Sequence, residues 1–423
     1  MPHSIRNARF AVVASFAMCG FNFANWAARL PVVQGELDLS ARDLGFLLLF
    51  ASAGSLTAIP VAGALTDRMG TARVVGLMAA VMTAGLAGAV SAVAIGSVVL
   101  AALSLYVMGL GMGAWDVAMN VEGAIVEHAL GKSVMAQFHA AWSMGTVAGA
   151  GVGAVMAATG VPIQWHLYGV LVFSLIIVLY AVRHYMPSSA RAAMSGDAAV
   201  GKDAAVSEVQ GVAVPAPAKY RSAWLEPRTL LIGLLVLAAT LTEGAANDWV
   251  AVAVKSEMTT GLSERASETI GAISLGVFLT AMTTMRLFGN GLLDRRGRVF
   301  VLRLSAAFGV IGLLFFGLSP WFWLAILGIG LWGLGSALGF PVGMSAASDD
   351  PLRAARRVSV VASVGYTAFL AGPPLIGFVA EHLGYRNALL LIAVPMAIGF
   401  VIAGKAAPLP GSRTALHEET LRK

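Results

Sequence analysis

Four carboxylates stand inside stretches that are otherwise almost wholly apolar. Asp116 and Glu122 lie in GLGMGAWDVAMNVE (109–122), and Glu243 and Asp248 lie in ATLTEGAANDWV (239–250). A carboxylate at bilayer depth costs roughly 3 kcal/mol on insertion scales unless it faces water or a partner, so each marks a site for proton movement or solute binding. Glu243 sits near the midpoint of its apolar run, too deep to reach water at either end, and a carboxylate so placed suits a reversible proton carrier. It is the first choice for that role, ahead of Asp116. Asp248 lies nearer one end of the run and reads as a vestibule residue.

The remaining polar residues fall into stripes. Asn22, Asn25 and Arg29 recur at spacings of three and four, on one helical face with Trp26 beside them. Asp116 and Asn120 share a face, as do His139, Trp142 and Thr146, and likewise Glu243 and Asn247. Such a stripe needs a polar surface to look at, which a central cavity supplies; interhelical hydrogen bonding is the alternative, equally open for Asn22, Asn120 and Asn247. The solute-binding set is therefore Asn22, Asn25, Trp26, Asn120, Trp142, Asn247 and Asp248, with Trp26 and Trp142 as the stacking aromatics. Trp249, Trp321 and Trp323 read as anchors at the membrane interface. A hairpin turning near Leu130 brings Glu122 level with His139, either as a pair exchanging protons near neutral pH or as a permanent ion pair.

Signatures of enzymes are missing: the sequence has no HExxH, GxSxG or P-loop pattern. The lone Cys19 and seven scattered His offer no metal-ligand spacing, so neither a metal nor a cofactor is expected. With no nucleotide-binding pattern, an ion gradient is the expected energy source.

These residues must be held by membrane helices. Of 423 residues 58% are hydrophobic and 12% charged, against about 25% charged in soluble domains. A membrane helix needs roughly 20 apolar residues, and twelve runs qualify: 9–31, 42–65, 73–94, 97–126, 134–158, 164–185, 227–254, 268–290, 298–318, 321–347, 356–381 and 385–404. The first run is long and carries Asn22, Asn25 and Trp26, so it reads as a retained helix rather than a cleaved leader. With the N-terminus in the cytoplasm, only Arg29, Arg42, Lys255, Arg265 and Arg386 fall outside, and Arg286 lies within a helix. The other Lys and Arg collect inside, which predicts cytoplasmic termini and explains the net charge of +6 without nucleic acid.

Residues 187–226, rich in Ala, Ser, Pro and Gly, read as a cytoplasmic linker between an N-terminal six-helix bundle (1–186) and a C-terminal one (227–407), with a polar cytoplasmic tail at 408–423. The halves repeat. GALTDRMGTAR (63–73) recurs as NGLLDRRGRVF (290–300), Asn25-Trp26 as Asp248-Trp249, and Met119-Asn120 as Met344-Ser345. The predicted fold is an all-α membrane protein of twelve transmembrane helices in two six-helix pseudo-repeat bundles, with a solute path between them.

At this level the sequence resembles the major facilitator superfamily over essentially its whole length. The loop pattern G-x-x-x-D-R-x-G-x-x-R is matched by Gly63, Asp67, Arg68, Gly70 and Arg73, and again by Asp294, Arg295, Gly297 and Arg298, with Asn290 in place of the leading Gly. The resemblance implies that Asp67, Arg68 and Arg73, and Asp294, Arg295 and Arg298 joined by Arg286, form cytoplasmic charge clusters that break when the halves rock apart. GTVAGAGVGA (145–154) looks like the Gly-rich antiporter motif without its Pro, while LAGPPLIG (370–377) keeps Pro373 and Pro374. The arginine that many sugar and drug carriers of the superfamily place in the fourth helix is absent, and Asp116 stands in that helix instead. The WAARLP and DVAMN segments look like a bacterial branch near the fucose and rhizopine permease-like proteins. The expected function is a monomeric secondary transporter of a bacterial inner membrane, coupling uptake of a small sugar or polyol to protons by alternating access. A proton-driven exporter of amphipathic compounds is the alternative, and a non-transporting receptor or lipid flippase a third.

Overall fold

The computed structural model describes residues 3–131, 134–186, 222–350 and 353–409, with no strand among them. Most of the expected linker, the tail beyond 409 and Lys132 lie outside the described residues; the linker's end is a single 3-10 turn, Ala223–Leu225. Twelve segments are long and apolar enough to cross a membrane. In the first half these are α1 (His3–Ala27) followed by the short α2 (Leu30–Glu36), α3 (Ala41–Met69), α4 (Thr71–Ala94), α5 (Val98–Leu130), α6 (Met135–Ala158) and α7 (Ile163–Ala181). The second half runs α8 (Pro227–Met258), α9 (Glu264–Arg296), α10 (Arg298–Leu318), α11 (Phe322–Ser336) with α12 (Gly339–Ala347), α13 (Ala354–Leu383), and α14 (Tyr385–Leu390) with α15 (Ala393–Ile402). Twelve crossings bring both ends of the chain to one face of the bundle, the terminal face; the other is the far face.

Three spans are interrupted. The first does not continue to residue 31: α1 stops at Ala27, and Pro31 sits in the first turn of α2, where its missing N–H is harmless. The tenth breaks at Ala337–Leu338 and the twelfth at Leu391–Ile392. Irregular backbone at membrane depth needs its freed polar groups satisfied, and the Ala337 carbonyl accepts a bond from Arg286 Nε at 3.3 Å.

The halves are built alike. In the first, α1 packs on α6 while α5 packs on both α3 and α4; in the second, α8 packs on α13 while α11 packs on both α9 and α10. Between the halves, α3 lies against α13 and α6 against α9, the same pair of positions used reciprocally. The Gly-rich face of α6 serves this packing. A Cβ on Gly149 would lie 2.5 Å from the Phe21 carbonyl oxygen, and one on Gly145 would overlap the carbonyl of Ala17. Close backbone approach through small residues is how helices associate in lipid.

Contacts between the halves seal the far face. A Cβ on Gly45 would lie 2.5 Å from the Pro373 carbonyl, and one on Gly377 2.5 Å from that of Ala41. Gln34 Nε2 donates to the Tyr385 hydroxyl at 2.5 Å, Lys255 Nζ to the Pro31 carbonyl at 3.4 Å, and the Arg42 amide to Glu381 Oε2 at 3.3 Å. Near the terminal face, the bonds of Glu122, Glu226 and Asp349 given below stay within one half. The structure is thus closed at the far face.

Candidate solute cavity

Where the halves meet, a cavity of about 310 Å³ is lined from α1, α3, α4, α5 and α6 on one side and from α8 and α13 on the other. Its charged lining residues are Asp116, Glu243 and Asp248; no Lys, Arg or His lines it among the described residues. Asn22, Trp26, Trp142 and Asn247 also line it, as the sequence predicts. Asp116 is exposed although it lies within a membrane span, so the water it meets is that of the cavity.

Asp116 and Asn120 share a face of α5, as their spacing requires. Asn120 Nδ2 bonds back to the Asp116 carbonyl at 2.9 Å and reaches Asp116 Oδ1 at 3.3 Å. Asn120 is therefore a support for Asp116 and does not line the cavity, which corrects its place in the solute-binding set. Asn22 donates Nδ2 to Ser174 Oγ at 2.8 Å and leaves Oδ1 buried without a partner, as is Asn247 Oδ1.

Asn25 is a second correction. Its amide is buried in the first half, donating to the Phe21 carbonyl and bonded through Oδ1 to His166 Nε2, both at 2.8 Å, outside the cavity. A helical stripe at spacings of three and four is wide enough for Asn22 to meet the cavity while Asn25 meets α7. The Asn25-Trp26 and Asp248-Trp249 pairs consequently have opposite senses: Trp26 and Asp248 line the cavity, whereas Asn25 and Trp249 face the packed interior. Trp249 is fully buried with its ring 5.7 Å from that of Tyr385, not an interface anchor, while Trp321 and Trp323 are exposed.

Glu243 lines the cavity but is not free. Arg286 Nη2 donates to both of its oxygens, and Arg286 Nη1 reaches Ser143 Oγ of the other half at 3.4 Å. Arg286 therefore belongs to the membrane interior, not to the cluster of Asp294 and Arg298. The reason is its depth in α9, well over two turns before the helix ends at Arg296.

The expected pairing of Glu122 with His139 is also absent. Glu122 is fully buried and accepts from Thr71 Oγ1 at 2.5 Å and from the Met186 amide at 2.6 Å. His139 is exposed, its ring edge-on to Phe16 with centroids 5.3 Å apart. Counting residues from the α5–α6 turn gives the level of each side chain, but α5 packs on α3 and α4 while α6 packs on α1 and α9, so the two faces diverge.

The second loop cluster is rearranged. Asp67, Arg68 and Arg73 are exposed around the α3–α4 turn, and Asp294 and Arg295 at the end of α9. Arg298 instead is 3% exposed and bonds Asp349 at 3.0 Å, Ser345 Oγ at 3.3 Å and the Ala406 carbonyl at 3.1 Å. Asp349 also takes Arg228 at 2.9 Å. The repeat offset explains the difference. Asp67 and Asp294 are 227 apart, and the same step carries Thr71 to Arg298 and Glu122 to Asp349. Both turns are built on glycines in the left-handed region, Gly70 (φ 84°) and Gly297 (φ 77°). Arg298 is thus the counterpart of Thr71, not of Arg73, and each half joins the start of its third span to an acid closing its fourth. Sequence reading missed Asp349, although the offset already found in the loops points to it.

The comparisons with known proteins agree with this architecture. The chain is 30% identical over 397 residues to the uncharacterized transporter y4wD of Sinorhizobium fredii (strain NBRC 101917 / NGR234), covering 93% of this chain and 96% of that protein. Among solved structures, the nucleoside transporter NupG superposes with a TM-score of 0.68 at 14% identity, over 93% of this chain and 98% of that one. A D-xylose-proton symporter superposes with a TM-score of 0.67 at 15% identity, over 97% and 99%. The Major Facilitator Superfamily model matches residues 10–349 and 236–420, and the chain, a multi-pass membrane protein with that superfamily's fold, belongs to it.

Proposed function

We propose that the protein is a monomeric secondary transporter of a bacterial inner membrane that couples uptake of a small polar solute, of sugar or polyol size, to protons by alternating access. The terminal face is then cytoplasmic and the far face external, in keeping with the Lys and Arg asymmetry. The observation that carries the reading is a closed far face above a cavity holding two carboxylates, Asp116 and Asp248, with no ion-pair partner among the described residues. A carboxylate in a membrane cavity either binds a proton or meets a charged partner. Asp116 and Asp248 therefore replace Glu243 as the proton carriers, because Glu243 is held by Arg286. The similarity to a D-xylose-proton symporter supports the solute size and the coupling. Gly145 and Gly149 of α6 pack on α1, so these glycines have a packing role that calls for no antiporter.

The test is uptake into proteoliposomes driven by a pH gradient. One proton per solute and a one-unit gradient support up to about tenfold accumulation. Asp116→Asn or Asp248→Asn should abolish accumulation against the solute gradient. Full gradient-driven accumulation in both variants would overturn the assignment.

A further inference from the structure

The charge of the cavity narrows the solute, on the reading that the cavity is the transport site. Three carboxylates line it, and the one cation within bonding distance among the described residues, Arg286, is bound to Glu243 by both oxygens. One positive charge against three negative leaves Asp116 and Asp248 to be answered by a proton or by a cationic solute. Uncompensated charges held away from bulk water are costly unless a counter-charge joins them.

The other lining groups point the same way. Asn22 and Asn247 line the cavity, and the buried Oδ1 of each lacks a donor among the described residues. Its aromatic groups stand on both halves: Phe23 stacks with Trp142, centroids 6.1 Å apart, and Tyr366 with Phe369 at 6.4 Å. Aromatic faces attract a cation, most strongly where water is displaced. An ammonium group has three donors and no acceptor, the complement of this lining. A neutral polyol, whose hydroxyls both donate and accept, brings no charge to either carboxylate and leaves both to protons.

We infer that the solute is a small organic cation, a compound of sugar or polyol size carrying a protonated amine or quaternary ammonium, seated between Asp116 and Asp248 against the aromatic faces of the two halves.

The test uses full-length protein in lipid nanodiscs, titrated by calorimetry with pairs that differ chiefly in charge. Choline is set against 3,3-dimethyl-1-butanol, its uncharged carbon analogue, and glucosamine against glucose. The expected result is at least about tenfold tighter binding of the charged member of a pair. That preference should be lost in Asp116→Asn or Asp248→Asn and kept in Asp116→Glu. Equal binding within both pairs, tighter binding of the neutral members, or no binding by either cation overturns the inference in wild-type protein, whether or not the variants fold. Flux of the same compounds into proteoliposomes separates the two readings. Cation binding without flux overturns transport and leaves the charge inference standing, whereas flux of the neutral members alone does the reverse.

Discussion

Arg286 donates two hydrogen bonds from Nη2 to the carboxylate of Glu243, at 2.9 Å to Oε1 and 2.8 Å to Oε2, in the middle of the membrane-spanning bundle. The same guanidinium closes the break in the tenth span through the Ala337 carbonyl and touches Ser143 across the boundary between the halves. It therefore fixes three elements around one carboxylate. That is a supporting role for the cavity wall, and it sets Glu243 apart from Asp116 and Asp248, which have no cation beside them among the described residues.

The pair makes a prediction about stability. Glu243 and Arg286 are 13% and 23% exposed, so removing one charge leaves the other mostly buried and unpaired. Glu243→Gln should cost about 3 kcal/mol. The double variant Glu243→Gln/Arg286→Met should recover more than half of that loss. Unfolding in detergent, read as a double-mutant cycle, checks it; additive losses would show that the pair does not act as a unit.

The acids that close the fourth and tenth spans should differ in cost. Asp349 is 1% exposed and pairs with two arginines, Arg228 and Arg298. Glu122 accepts from the Thr71 hydroxyl through Oε2 and from the Met186 amide through Oε1; a Gln keeps one acceptor for the amide while the Thr71 hydroxyl can turn to accept from its NH2. Asp349→Asn is expected to cost about 3 to 5 kcal/mol, and Glu122→Gln about 1 to 2. Thermal melting of the two variants side by side decides this; equal shifts would contradict it.

Glu226, outside the membrane spans, gives a pH dependence. Burial alone would raise its pKa, but hydrogen bonds from Arg357 and Thr229 and the charges of Arg357 and Arg353 outweigh it and hold the carboxyl below its ordinary range. A depressed folded value means that its stabilisation is complete above the unfolded carboxyl's pKa of about 4.3 and is lost as pH falls through the folded value. The stability difference between wild type and Glu226→Gln should be flat from neutral pH down to about 5 and shrink below about 4. A difference that grows on acidification would refute this.

The far-face seal depends on glycine. Gly45→Val places a Cβ against the Pro373 carbonyl, where backbone rather than a flexible side chain would have to yield. Such overpacking costs about 1 to 3 kcal/mol in the closed arrangement only, enough to shift a two-state population severalfold. Spin labels at Asp43→Cys and His382→Cys, in a Cys19→Ser background, should show a longer distance in the Gly45→Val protein. An unchanged distance distribution would show that this contact does not gate the far face.

Much of the molecule is legible in the sequence because its causes are local or repetitive. Apolar runs long enough for hydrocarbon define the twelve spans, and Asp67 with Asp294 defines the repeat. The spacing of Asp116 and Asn120 puts them on one face whatever that face meets. These follow from helix geometry and the cost of polar groups in lipid, which act residue by residue. What the face meets is set by which helices become neighbours. The α5 helix packs on α3 and α4 rather than on α6, so Glu122 meets Thr71 rather than His139; Asn25 turns to His166 while Trp26 turns to the cavity, and Arg286 finds Glu243. A helical period gives an angle about one axis; only the packing of several axes decides which carboxylate within the membrane has a cation beside it and which faces the cavity without one.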